Sequence, residues 1–134
     1  MNIEIVTPMA RVYEDTIESV VMPTTSGEID ILPGHIPLVT EIQPGEIILS
    51  KSNNTEQVLA ISKGFVQCVG GKISVLAEEA IHIDGIDESV AEEAQKRAEE
   101  ALANAEKMSD EEVLMLETQI AYSRAQILAK RKRQ

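Results

Sequence analysis

The chain has 134 residues, 12 basic against 23 acidic side chains and a net charge of −11. That balance excludes a nucleic-acid partner, because neutralising phosphates needs a basic surface and base stacking needs aromatic side chains, which are only 2% of the residues. Hydrophobic residues reach 43% against 26% charged, enough for one core that must be aliphatic, and a single cysteine, Cys68, excludes any intrachain disulfide and leaves a cytosolic setting as the default.

The first stretch, "MNIEIVTPMARVYEDT", lacks the basic start and apolar run of a signal peptide, and no apolar stretch approaches the ~20 residues that span a bilayer. Membrane contact is therefore expected only through other proteins. Up to about Asp84 apolar residues alternate or form short runs: Ile3 and Ile5, Val20 and Met22, Ile29 and Ile31, then "EIILS", "QVLAIS", "GFVQCV" and "KISVLAEE". This period of two predicts strands. Between Thr25 and Leu49, Gly27, Pro33, Gly34, Pro37, Pro44 and Gly45 cut the chain into short extended pieces and leave no room for a helix. Asn53-Asn54 marks a turn before "EQVLAIS", and Gly70-Gly71 fits a tight hairpin. So many short strands predict an antiparallel β-sandwich or flattened barrel over residues 1–85.

After "IHIDGID" the period becomes helical, with Ala91, Ala94, Ala98, Ala101, Ala105 and Met108 forming an alanine seam. Asp87 or Ser89 can cap this helix, the latter in a capping box with Glu92. Ser109 and Glu112 form a second box that starts a second helix. That helix carries Val113, Leu116, Ile120 and Ile127 on one face, flanked by Leu114, Ala121 and Leu128. Residues 86–134 are thus an antiparallel α-helical hairpin, so the fold class is α+β in two parts. A hairpin this small with an alanine seam buries too little to stand alone. If it can lean either on the sandwich or on a partner, it has the material of a switch.

Residues 1–86 carry 12 acidic and 4 basic side chains, and 87–134 carry 11 and 8. From Thr118 onward acids vanish while Arg124, Lys130, Arg131, Lys132 and Arg133 accumulate. Two accounts stand side by side: complementing the dipole at a helix C-terminus, or docking on an acidic partner.

Signs of catalysis are sparse. His35 and His82 are the only histidines, no His, Cys or carboxylate group has metal-ligand spacing, and neither a phosphate-cradling loop nor a nucleophile elbow occurs. Cys68 reads as core or sheet face, and His82, between Ile81 and Ile83, as pointing away from its neighbours. A small enzyme using His35 as acid or base lacks a partner group in the sequence.

The whole layout resembles the epsilon subunits of rotary F-type ATP synthases. The residues that carry the likeness are "GEIDILPGHIPLVTEIQPGEI" from Gly27 to Ile47, "ISKGFVQCVGGKISVLAEEA", and "IDGIDESVAEEAQKRAEEAL" at the sheet-to-helix junction. The resemblance implies a sandwich of about ten strands and a helical hairpin. It implies a non-catalytic central-stalk (rotor) subunit, peripheral on the cytoplasmic face of the bacterial inner membrane. Such a subunit couples proton flow to ATP synthesis, and its C-terminal helices inhibit hydrolysis. Its implied partners are the gamma subunit, the c-ring and the alpha and beta subunits. Glu28, Pro33, Gly34 and His35 then fall at the c-ring and gamma contacts; the alternative is that Pro33, Gly34 and Pro37 only fix the turn, with His35 capping a loop carbonyl. Arg124 and Lys130 to Arg133 become the inhibitory contacts with beta. Some relatives bind ATP through an Ile/Leu-Asp-x-x-Arg-Ala motif; Ile86, Asp87 and Ala91 match it, with Arg97 nearby, but Val90 holds the Arg position, so weak or no ATP binding and no resident cofactor are expected. A free-standing regulatory or adaptor module of the same architecture is the alternative.

Overall fold

The computed structural model describes all residues except Ile36, Ala105 and Gln134. Ten strands come first: β1 (Asn2–Val6), β2 (Arg11–Thr16), β3 (Ser19–Thr24), β4 (Gly27–Ile31), β5 (Leu38–Ile42), β6 (Gly45–Ser50), β7 (Glu56–Ile61), β8 (Gly64–Val69), β9 (Lys72–Ala77) and β10 (Ala80–His82). A 3-10 turn (Ile83–Gly85) leads to α1 (Glu88–Asn104) and α2 (Asp110–Lys132).

The strands make one continuous sheet in the order β10-β7-β6-β3-β5-β8-β9-β1-β2, with β4 added against β3. The first residues of β3 pair with β6 and its last, Thr24, with Ile42 of β5, so the sheet turns a corner there and its halves close on each other. Inward positions then meet in one aliphatic core: Ile3, Ile5, Ile73 and Val75 from one half, Val20, Met22, Ile47, Leu49, Leu59 and Ile61 from the other, all at most 1% exposed. Cys68 lies within it. Pairing is antiparallel except between β1 and β9. No hairpin links those two, since most of the sandwich separates them in sequence, so chain direction is unconstrained there.

The two-residue loop Gly70-Gly71 has φ of +58° and +79°, the doubly left-handed geometry of a primed hairpin turn, which joins β8 to β9 with Val69 opposite Lys72.

Asp87, not Ser89, caps α1: its Oδ1 accepts from Ser89 N at 3.0 Å and Val90 N at 3.2 Å. Ser109 caps α2, its Oγ accepting from Glu112 N at 3.2 Å and donating to Glu112 Oε1 at 3.2 Å. The alanine seam is shorter than expected. Ala91 and Ala98 are buried and Ala94 is half-buried, but Ala101 is exposed and Leu102 takes its place. At 100° per residue Leu102 lies within about 20° of Ala91's direction and Ala101 about 80° away, so the helix follows its own 3.6 period rather than a strict heptad. Ala105 lies outside the described residues. On α2, Ile127 is buried and Val113, Leu116 and Ile120 half-buried, whereas Leu114 and Leu128 face solvent. Tyr122, Ser123 and Ala129 are buried as well, because α2 has two neighbours, α1 on one side and β6, β7 and the 3-10 turn on the other.

Candidate functional site

The seam between hairpin and sandwich is narrow. Tyr122, 6% exposed, packs with Ala60 of β7 and Ile86, flanked by the half-buried Ile81 and Ile83. Ala60 can receive it because β7 is buried on both faces from Val58 to Ile61, its second face being roofed by α2. Burial pushes the Tyr122 phenol well above its ordinary value, and the nearby Glu79 carboxylate adds to the shift. Glu79 is itself raised, by burial and then by the charge of Glu78.

Charges close the seam at its end. Lys132 Nζ lies 3.0 Å from Glu46 Oε1 and Arg133 Nη1 3.0 Å from Glu46 Oε2, while Lys130 Nζ donates to Ile83 O at 3.3 Å. Arg131 Nε meets Glu88 and its Nη2 lies 2.9 Å from Glu92 Oε1, tying the end of α2 to the first turn of α1 and holding the guanidinium above its usual pKa, chiefly through the Glu88 hydrogen bond. Four of the five cations expected at an outside partner therefore have partners within this chain. Arg124 is exposed.

The residues of the expected nucleotide motif do not converge. Ile86 is buried against Tyr122, Asp87 is spent on the α1 cap, Ala91 is in the seam, and Val90 and Arg97 face solvent. Glu88 and Glu92 flank that first turn, a poor setting for a phosphate.

The Pro33-Gly34 stretch is a closed turn: His35 N donates to Leu32 O at 3.0 Å, and Gly34 has φ of +85°. Pro at the second and a left-handed Gly at the third position is the type II pattern, which makes the tip stiff. Pro33, Gly34 and His35 are all exposed there. Glu28 is also exposed but lies near the far end of β4, about 10 Å of strand from Ile31, where the turn begins. His82 is a structural residue: its Nε2 lies 2.6 Å from Gln57 Oε1, and its Nδ1 accepts from Asp84 N at 3.1 Å, capping the 3-10 turn.

One surface was missed in the sequence. Phe65, the chain's single Phe, is 54% exposed and pairs across strands with Leu76, 60% exposed; Val39 is 70% exposed nearby. Phe65 and Leu76, with Val6, Pro8 and Leu114, line a cleft of about 680 Å³ between the sheet and the start of α2. The signal was present: in "GFVQCV" and "KISVLA" the positions alternate to core, as Val66, Cys68, Ile73 and Val75, and the outward set still holds Phe65, Val69 and Leu76. Among the described residues no His, Cys, Asp or Glu group could hold a metal, and no helix is long and apolar enough to cross a membrane.

The profile of the ATP synthase delta/epsilon chain β-sandwich domain matches residues 1–83. The ATP synthase epsilon chain of Bordetella parapertussis is 33% identical over 132 residues, 98% of this chain and 93% of its own. This chain belongs to the ATP synthase delta/epsilon family. It is an epsilon-type, non-catalytic ATP synthase subunit, which accounts for the scarcity of catalytic groups. ATP synthase epsilon chain 2 of Ralstonia nicotianae is 36% identical over 110 residues, 82% of this chain and 79% of its own. The fold is shared with chains in two solved mitochondrial ATP synthase assemblies. That from Euglena gracilis has a TM-score of 0.76 at 17% identity, covering 95% of this chain and 79% of that one. The central stalk and c-ring of Tetrahymena thermophila gives 0.60 at 12%, covering 97% and 96%.

Proposed function

We propose that this epsilon-type chain is a rotor-foot subunit of a bacterial ATP synthase central stalk, on the cytoplasmic face of the membrane. Its sandwich, residues 1–85, links gamma to the c-ring and couples proton flow to synthesis. Its hairpin, residues 86–134, restrains hydrolysis by leaving the sandwich and meeting acidic surfaces of the beta subunits. The observation that carries this reading is the hairpin's attachment: one apolar cluster around Tyr122 and the two ion pairs of Lys132 and Arg133 with Glu46, strong enough to dock and weak enough to release.

The division of surfaces supports it. A stiff exposed turn at Pro33 to His35 suits a contact that transmits torque to polar c-ring loops, with Glu28 on a separate part of that contact. An outward Phe65-Leu76-Val39 face has the apolar character of an assembly surface, which we assign to gamma. A tagged copy of the full chain, recovered from detergent-solubilised membranes of its host, should bring gamma, alpha, beta and the c-ring with it. Recovery of the chain alone would make it a free-standing module instead.

A further inference from the structure

The ion pairs at the end of α2 fall into two sets with different reach. Arg131, on Glu88 and Glu92, joins α2 to α1 and stays within the hairpin. Lys132 and Arg133 converge on Glu46 of β6, one on each carboxylate oxygen, and join the hairpin to the sandwich across 86 and 87 residues of sequence. The Glu46 side chain is only 20% exposed, whereas Lys132 is 66% and Arg133 31% exposed, so an anchored acid receives two cations that solvent and salt can reach. The apolar part of the seam holds few large side chains, Tyr122 and Ile86 foremost, so these two pairs carry weight beside it.

We infer that Glu46 is the fixed half of an electrostatic clasp, and that its hold on Lys132 and Arg133 sets the fraction of hairpins docked on the sandwich. Removing this one carboxylate leaves two neighbouring cations unpaired in the docked form, which favours release. The same cations cannot serve the clasp and an acidic catalytic surface at once. On the reading of the hairpin proposed above, the clasp therefore competes with inhibition, and Glu46 opposes in sign the residues it binds.

The test uses the full-length isolated chain and amide hydrogen exchange of α2. Two exposed pairs lost together correspond to a rise of roughly 2–30-fold in α2 exchange for Glu46→Gln at low salt. Raising salt to about 0.5 M, where screening acts within a few Å, should produce a similar rise in the native chain and little change in Glu46→Gln. Glu46→Lys combined with Lys132→Glu and Arg133→Glu should restore protection. Equal exchange in native and Glu46→Gln chains, or no restoration by the charge swap, overturns the clasp. In the assembled enzyme Glu46→Gln should lower ATP hydrolysis, whereas neutralising the cations raises it. A clasp that passes in the isolated chain while Glu46→Gln leaves hydrolysis untouched refutes the inhibitory reading, not the clasp.

Discussion

Replacing Tyr122 by Ala should undock the hairpin while leaving the sandwich folded. The ring is 6% exposed and wedged between β7 and the 3-10 turn, so its truncation removes most of the apolar contact between α2 and the sheet. An aromatic side chain buries about 150 Å² or more, which at about 25 cal/mol per Å² amounts to about 3–4 kcal/mol, or between two and three decades in the docking equilibrium. An undocked hairpin with an alanine seam is too small to keep its helices. Exchange of α2 and α1 amides should thus rise by about those two to three decades, while the core strands around Ile5, Leu59 and Val75 keep native protection. Tyr122→Phe, which retains the ring, should stay within about tenfold of native. The reasoning fails if Tyr122→Ala leaves α2 protected, or if β1, β7 and β9 lose protection together with it, because hairpin and sandwich would then be one cooperative unit.

Three further outcomes follow from the same geometry. The two tyrosines should resist ionisation: burial, then the Asp15 hydrogen bond and charge, push Tyr13 to about 12, and burial raises Tyr122 further. Their neutral forms favour the folded state, so that stability is complete below the unfolded value of 10.0 and declines as pH rises through the folded values; tyrosinate absorbance reaching half its final value by pH 10 would contradict this. Neutralising Lys130, Arg131, Lys132 and Arg133 together should raise hydrolysis by the assembled enzyme, because any loosening of the docked form is outweighed by loss of the charges that hold the extended one; single changes should do little. Calorimetry on the isolated chain should find ATP binding weak or undetectable, and Val90→Arg should recover little of it, because Asp87 is held in the α1 cap and Glu88 and Glu92 flank the turn where a phosphate would sit. Micromolar binding by the native chain would show that another cation fills the role of the missing Arg.

The strands and their turns were legible because each rule acts locally: period-two alternation placed Ile3, Ile5, Ile73 and Val75 inward, and Gly70-Gly71 and Ser109-Glu112 announced a hairpin and a cap that both form. What lay hidden needs tertiary information. The parallel β1–β9 pairing joins distant strands, and α2 presents apolar residues to two neighbours, so a one-face pattern names Ile127 but misses Tyr122. Lys132, Arg133 and Arg131 were visible as a charge cluster, but Glu46, Glu88 and Glu92 could not be named as their partners, since a run of like charge says nothing about which distant acid it will meet. Phe65 sits on the outward face of β8, opposite to Val66 and Cys68, and only the sheet's closure shows which of the two alternating sets is the core.

The separation of roles between the two parts is tested most directly by assembling the ATP synthase with a chain ending at Gly85, just before the buried Ile86 and the Asp87 cap. Synthesis driven by a proton gradient and hydrolysis in its absence are measured beside the full-length enzyme. Retained synthesis with raised hydrolysis is the expected result. Loss of synthesis in an intact complex, or hydrolysis unchanged from that of the full-length enzyme, would contradict a coupling sandwich and a restraining hairpin.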